Sequence, residues 1–171
     1  MSDPHLSMTF ELRGPRGRDW SHVAKLRGAA EALARSLELP AEVLTAIAVA
    51  VEELAENLIK YHHWEGQGDP CARLTMGVVH ECAELVIASY SQLQPDRGHL
   101  EHLGSVFKSI EVHGPREAYT RRISELAAGE DGGQLAQLGL YRIAVEGGFT
   151  LALEHAAGAD ITITATLPLP T

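Results

Sequence analysis

The sequence lacks a long hydrophobic run, contains only two cysteines and is poor in aromatic residues. Its longest uninterrupted apolar run, Ala46 to Val51, is far shorter than the ~20 residues that cross a bilayer. The first ten residues have neither the basic start nor the apolar middle of a signal peptide. We therefore expect a cytoplasmic protein without a membrane segment. Cys71 and Cys82 form no CxxC pair, which argues against a disulfide scaffold and a cysteine zinc site.

Basic residues are also scarce, with 14 Lys and Arg against 23 Asp and Glu, which gives a formal net charge of −9. Proteins that bind nucleic acid need positive charge facing the phosphate backbone, and aromatic residues make up only 5% of this chain. Nucleic acid is therefore not an expected partner.

The length and composition are those of one folded domain. The chain has 171 residues, of which 45% are hydrophobic and 22% charged. This is too apolar for a disordered protein, and no repeat or linker divides the chain. We therefore predict a single domain over residues 1–171.

Hydrophobic periodicity predicts an α+β fold, a two-layer α/β sandwich with a mixed or antiparallel sheet and helices on one face. Glycine and proline mark most of the element boundaries. The predicted elements are a strand at Ser7–Arg13, a helix capped by Asp19 or Ser21 that ends before Pro40, a helix at Ala41–Tyr61, strands at Ala72–His80 and Glu84–Tyr90, helices at Gly98–Glu111, Pro115–Ala128 and Gln134–Val145, and strands at Phe149–Glu154 and Ile161–Leu167.

The helix predicted at Ala41–Tyr61 carries the most informative pattern. One stripe is apolar and typical of a core face. The stripe beside it runs Ala46, Ala50, Glu53, Asn57, so a carboxylate and an amide stand one turn apart at the edge of the core. Such a pair is most often a solvated surface, but here it could instead border a pocket.

Two segments resemble motifs of the GHKL superfamily, the ATPases of histidine-kinase type with a Bergerat-type ATP-binding fold. AIAVAVEELAENLIKYHH looks like the superfamily's N-box, in which a Glu and an Asn act on bound Mg-ATP. GGQLAQLGLYRIAVEGG looks like its glycine-rich G2 box. The resemblance implies ATP and Mg²⁺ as cofactors, Glu53 as the catalytic base and Asn57 as a metal and nucleotide ligand. It also implies that Gly132, Gly133 and Gly139 contact phosphate.

The residue chemistry agrees with these roles. Mg²⁺ prefers oxygen ligands, and Asn57 could supply an amide oxygen beside those of a triphosphate. A carboxylate one turn away, that of Glu53, can take a proton from an attacking hydroxyl within hydrogen-bond reach. Backbone amides of a glycine-rich turn can stabilise phosphate without basic side chains, although Gly132 and Gly133 could be only a turn and Gly139 only a close-packing position.

The adenine-binding box departs from the superfamily pattern. The aspartate that normally follows the second hairpin strand is missing, and Asp96 with Gly98 forms a DxG several residues late. Either a loop brings Asp96 back, or Ser89 or Ser91 replaces it as a polar contact, or adenine is not bound. Residues 134–137 also interrupt the glycines of the G2 box.

The order of elements is similar to that of small bacterial anti-sigma-factor kinases and, in the second half, of SiaB-type serine/threonine kinases. The segments LEHLGSVFKSIE and PREAYTRRISEL fit the two short helices of the latter. This resemblance implies transfer of the ATP γ-phosphoryl group to Ser or Thr of a small regulatory protein, such as an anti-sigma-factor antagonist, and a possible homodimer. The alternative is a degenerate GHKL-fold module without nucleotide that acts by protein binding or dimerisation. A third and less favoured possibility is a metabolic enzyme unrelated to ATP. The sequence shows no catalytic triad or metal-binding cluster that would support it.

Overall fold

The described part of the chain forms one five-stranded sheet and five α-helices. Within it, every helix is too short or too polar to traverse a bilayer. A computed structural model describes residues 6–65, 71–79, 83–93, 97–129, 138–156 and 160–170, with the backbone alone for Leu6, Pro15 and Arg97. The strands are β1 (Leu6–Arg13), β2 (Cys71–Val79), β3 (Glu84–Gln92), β4 (Thr150–His155) and β5 (Asp160–Pro168). The helices are α1 (Ser21–Ser36), α2 (Ala41–Tyr61), α3 (Arg97–His113), α4 (Pro115–Ala127) and α5 (Gly139–Val145).

The strands lie in the order β1-β2-β3-β5-β4, and every neighbouring pair is antiparallel. Alternation along the strands directs Leu74, Met76 and Ile87 into the core, whereas Arg73 is exposed. The helices cover the apolar face, which confirms the predicted two-layer α+β sandwich.

Helix α2 is the centre of the hydrophobic core and has the predicted bounds. Ile47, Val51 and Leu54 are fully buried on it because their spacing of three or four residues forms one apolar stripe. The small residues Ala46 and Ala50 are also buried. α1 packs along α2, and α2 lies against β2 and β3. The second stripe of α2 is therefore held at a fixed place relative to the sheet.

Differences from the predicted boundaries are small. The loop predicted after β1 contains a 3-10 helix at Pro15–Arg18. The last predicted helix is seen from Gly139 onward, and its first part lies outside the described residues. Gly148 has a φ of 71°, the left-handed conformation expected after the helix end. The prediction that Asp19 or Ser21 caps α1 is wrong: the N-cap residue is Trp20, whose side chain makes no capping bond, and Asp19, one residue earlier, accepts a hydrogen bond from the backbone N–H of Ser21, the first residue of the helix.

A buried histidine joins the end of α2 to the end of β3. His62 is 1% exposed and its backbone bridges to Leu93. The backbone N–H of Gln92 donates to His62 Nδ1 at 3.1 Å. Because Nδ1 accepts, the proton of the neutral ring lies on Nε2. Burial, with a smaller contribution from His63, lowers the pKa of His62 from 6.5 to about 4.

Acidification is therefore expected to destabilise the protein through His62. The unfolded chain takes up a proton at His62 near its ordinary pKa, whereas the folded chain does so only near a pKa of about 4, so stability falls as pH decreases between these values. From about pH 7 to about pH 5 the expected loss of unfolding free energy is about 2 kcal/mol. Urea unfolding of wild type and His62→Gln measures it. His62→Gln should lose less stability than wild type, whereas His155→Gln, at an exposed position on β4, should behave as wild type.

Candidate functional site

Helix α2 presents Glu53 and Asn57 one turn apart at the edge of the core. The Glu53 side chain is 13% exposed and Asn57 is half-buried. The neighbouring carboxylates of Glu52 and Glu56 lie further round the helix and pair with Arg27 and Lys60, each at 3.0 Å. Glu53 and Asn57 thus lie away from the ion-paired solvent side of α2.

Helix α5 lies against Glu53. The Arg142 guanidinium forms an ion pair with the Glu53 carboxylate and also bonds the two carboxylate oxygens of Glu146 at 3.1 and 3.2 Å. Gly139, the first residue of α5, is buried against Glu53, and a Cβ added there would clash with Glu53 Oε2. The glycine and the arginine, three residues apart, hold the carboxylate between them.

The environment of Glu53 contains two opposing electrostatic effects. Burial, helped by the negative charges of Glu56 and Glu52, raises the pKa of the Glu53 carboxyl above its ordinary value, and the positive charge of Arg142 offsets only part of that rise. Arg142 therefore favours the ionised carboxylate, which is the form that can accept a proton.

Asn57 lies beside two small cavities of about 20 Å³ each. One of them is also lined by Ser89 and Ser91, which are 4% and 5% exposed on β3. A volume of this size holds about one water molecule. The structure thus brings Asn57 together with the two serines that the sequence offered as replacements for the adenine-binding aspartate.

Helix α3 covers Asn57. His99, in the first turn of α3, stacks on Tyr61 of α2. The ring centroids are 3.8 Å apart, and the angle between the rings is 26°. Leu103, one turn later, lines both cavities at Asn57. The space in front of Asn57 is therefore occupied by side chains of α3.

The structure describes only some of the other predicted site residues. Gly98 is exposed in the first turn of α3. Asp96, Gly132 and Gly133 lie outside the described residues, so their predicted contacts with adenine and phosphate stay predictions. Gly139 meets Glu53, and its predicted contact with phosphate is likewise untested.

The donor set at Asn57 fits a magnesium ion bound together with phosphate. In the described part of the chain, no group of three or more His, Cys, Asp or Glu side chains could hold a metal by itself. A cation here would depend on the Asn57 amide oxygen and on oxygens brought by a ligand; Mg²⁺ at nucleotide sites likewise takes few protein oxygens and completes its shell with phosphate oxygens and water. The donor type at Asn57 therefore suits a magnesium ion with phosphate, but the two cavities are too small to hold them.

Sequence reasoning missed three residues of this site: Arg142, His99 and Tyr61. Arg142 has a recognisable signal, since it is a cation three residues after a glycine on the helix that the G2 resemblance brings to the nucleotide. The stack of His99 on Tyr61 has no such signal, because it depends on how α3 packs.

Gly139→Ala is expected to impair the site more than the fold. The added methyl group would displace the Glu53 carboxylate from Arg142, and because the end of a side chain has to move, the melting temperature should change little. If Glu53 is the catalytic base that the resemblance implies, its displacement should lower ATP turnover about tenfold or more. ATP turnover and thermal unfolding measure the two effects. The matched control is Gly28→Ala in α1, where an added Cβ meets nothing within 4 Å. Equal turnover in both variants would contradict the proposed placement of the base.

The comparisons with known proteins bear separately on the fold and on the family. No curated protein sequence matches the chain significantly. Among solved structures, a chain in the crystal structure of the SiaB–SiaC complex from Pseudomonas aeruginosa has a TM-score of 0.61 and is 15% identical. The match covers 96% of this chain and 89% of that one, and at this identity it shows a shared fold.

The family model described as the histidine kinase-like ATPase domain matches residues 18–106, which is more than half of the chain. The matched segment contains α2 with Glu53 and Asn57, the β2–β3 hairpin with Ser89 and Ser91, and the first half of α3. The chain therefore belongs to the histidine kinase-like ATPase family.

Proposed function

We propose that this protein is an ATP-dependent kinase that transfers the γ-phosphoryl group to a Ser or Thr of a small protein partner in the cytoplasm. The observation that carries the proposal is the placement of Glu53 and Asn57 one turn apart, with Arg142 on the carboxylate and buried serines of β3 beside the amide. Family membership supports the ATPase half of the proposal.

Asn57 would hold Mg²⁺ together with the nucleotide phosphates. Bound there, the ion would neutralise phosphate charge. Ser89 or Ser91 would contact the adenine in place of the missing aspartate, or Asp96 and Gly98 would do so. Gly132, Gly133 and Gly139 would contact phosphate through backbone amides.

Glu53 would act as the general base of the transfer. The partner's hydroxyl oxygen forms a bond to the γ-phosphorus, the bond from phosphorus to the ADP oxygen breaks, and the hydroxyl proton passes to the Glu53 carboxylate. Phosphoryl transfer needs mainly positioning and charge stabilisation, so a small domain without further machinery can carry it. Arg142 would favour the ionised form of Glu53 against the effect of burial, which raises the pKa of this carboxyl.

The choice of a protein as acceptor rests on resemblance. One solved structure with the same fold is a complex of SiaB with SiaC, and the sequence pattern resembles SiaB-type and anti-sigma-factor kinases. The proposals of a small regulatory protein as partner and of a possible homodimer rest on this resemblance alone.

Nucleotide binding would require α3 to move away from Asn57. Ligand sites of drug size have volumes of about 300–1,000 Å³, more than tenfold larger than either cavity at Asn57. Opening would break the stack of His99 on Tyr61 and withdraw Leu103. The measured affinity for ATP would then be reduced by the cost of opening.

Calorimetric titration with ATP and Mg²⁺ tests the proposal. We expect saturable binding with a dissociation constant on the order of micromolar. His99→Ala should bind more tightly, because it removes a contact that holds α3 closed, and Gly104→Ala, an exposed change on the same helix, should not. The absence of binding in all three proteins would contradict the kinase function.

One observation favours a second function. The closed packing of α3 on Asn57 also suits a module without nucleotide that acts by binding a protein. The same titration separates the two functions, because such a module would stay without detectable ATP binding even in His99→Ala.

A further inference from the structure

Strand β4 lies at one edge of the sheet, and within the part of the chain that the structure describes no strand pairs with its outer side. An unpaired edge presents a row of backbone N–H and C=O groups that can pair with another strand, and many proteins block it with lysine, proline or a bulge. β4 contains neither lysine nor proline, and its register with β5 is unbroken from Thr150 to His155. The outer edge of β4 is therefore open to a further strand.

A groove of about 700 Å³ runs along this edge, between β4 and α3. Its walls include the apolar side chains of Leu151 and Leu153 from β4 and of Phe107 and Ile110 from α3, all of which are partly exposed. The two leucines lie on the same side of β4 because side chains alternate along a strand. A strand added to β4 would direct every second side chain into the groove, so apolar residues at alternate positions fit it.

The sequence of β4 is complementary to itself when two copies pair antiparallel with Ala152 opposite itself. Directly opposite residues of an antiparallel pair lie on the same face of the sheet. In this register Leu151 lies opposite Leu153 of the second copy on the groove side, and Thr150 lies opposite Glu154 of the second copy on the other side. Ala152 is exposed and small, so it leaves room at the centre of the pair. No two like charges of β4 face each other.

The wall of the groove on α3 carries one positive and one negative charge. Lys108 and Glu111 both line the groove, are exposed and stand three residues apart, so they share one face of α3. A two-fold axis reverses the order of these two charges in the second copy, and each lysine then faces the glutamate of the other copy. Such complementarity favours association of a chain whose net charge of −9 otherwise opposes it.

We propose that two copies of this chain associate through β4, which pairs antiparallel with β4 of the second copy about a two-fold axis at Ala152. The two sheets then form one continuous sheet, and Leu151 and Leu153 of both copies lie against each other beside α3. This inference gives the possible homodimer of the proposed function a surface and a register. The pairing itself requires neither nucleotide nor kinase activity.

Sedimentation equilibrium of the purified protein tests the pairing. We expect wild type to dimerise with a dissociation constant of about 10 μM or tighter. Ala152→Lys and Ala152→Glu each place two like charges opposite each other at the axis, and each should weaken dimerisation about tenfold or more. An equimolar mixture of the two variants should recover the affinity of wild type, because opposite charges then meet. Since Ala152 is exposed, both variants should fold, which circular dichroism checks.

Two controls make the test specific. Ser7→Lys adds the same charge at an exposed position of β1, at the other edge of the sheet, and it should dimerise as wild type does. Asn57→Ala should also dimerise as wild type does, which separates a failure of this pairing from a failure of the kinase proposal. A wild type that stays monomeric at about 100 μM, unchanged dimerisation in Ala152→Lys, or a mixture that associates no better than either variant alone would overturn the inference.

Discussion

Glu53→Gln is expected to lower phosphoryl transfer by about 10²–10⁴-fold while ATP binding is retained. Glutamine keeps the shape of the side chain and the contact with Gly139, but it cannot accept the proton of an attacking hydroxyl. Release of phosphate from γ-labelled ATP measures the loss, with water in place of the partner's hydroxyl. A calorimetric titration of the same variant reports ATP affinity.

The matched control for this variant is Glu56→Gln. Glu56 lies on the same helix, but its carboxylate pairs with Lys60 at 3.0 Å on the solvent side. It should turn over ATP as wild type does. Equal loss in both variants would assign the effect to the charge of α2 as a whole, and unchanged turnover in Glu53→Gln would remove Glu53 from the chemistry.

Asn57→Ala is expected to lower the magnesium-dependent affinity for ATP about 100-fold. The amide oxygen is the proposed protein ligand of the ion, and loss of a metal-supporting group typically costs 10–100-fold even in the outer coordination shell. The measurement is a pair of ATP titrations for each protein, one with Mg²⁺ and one with EDTA.

The EDTA titration decides how Asn57 acts. If the amide works through the metal, wild type and Asn57→Ala should have similar, weak affinities without Mg²⁺. A difference that persists in EDTA would mean that Asn57 contacts the nucleotide directly or shapes the cavity. Equal affinities with Mg²⁺ present would contradict the proposed metal ligand.

The sequence predicted those parts of the fold whose hydrophobic pattern lies within a single helix or strand. The apolar stripe of α2 determines the helix, its buried face and the position of Glu53 and Asn57 at the edge of that face. The strands of the β2–β3 and β4–β5 pairs also lie close to their predicted bounds, and each pair is antiparallel. In these elements the local pattern and the tertiary packing favour the same conformation.

The rest of the site depends on contacts between distant parts of the chain. The ion pair of Glu53 with Arg142 joins residues 89 positions apart, so no local pattern contains it. The stack of His99 on Tyr61 depends on the angle at which α3 crosses α2. Periodicity predicts that α3 has a buried face, but not which site it covers.

Ser89 and Ser91 illustrate an intermediate case. Alternation in β3 predicts that both face the core, and polar residues at core positions are uncommon without a partner. Their place beside Asn57 follows only once α2 is packed across β3. The sequence could offer them as replacements for the missing aspartate, and the structure was needed to bring them to the same cavity.

Paramagnetic NMR tests the central claim, nucleotide bound at Asn57, most directly. Spectra of the ¹⁵N-labelled protein would be recorded with Mg-ATP and after substitution of Mn²⁺ for part of the Mg²⁺. We predict that the side-chain amide of Asn57 and the backbone amide of Gly139 broaden first, while that of Gly28 in α1 is spared. An unchanged spectrum, or broadening centred away from α2, would contradict the account.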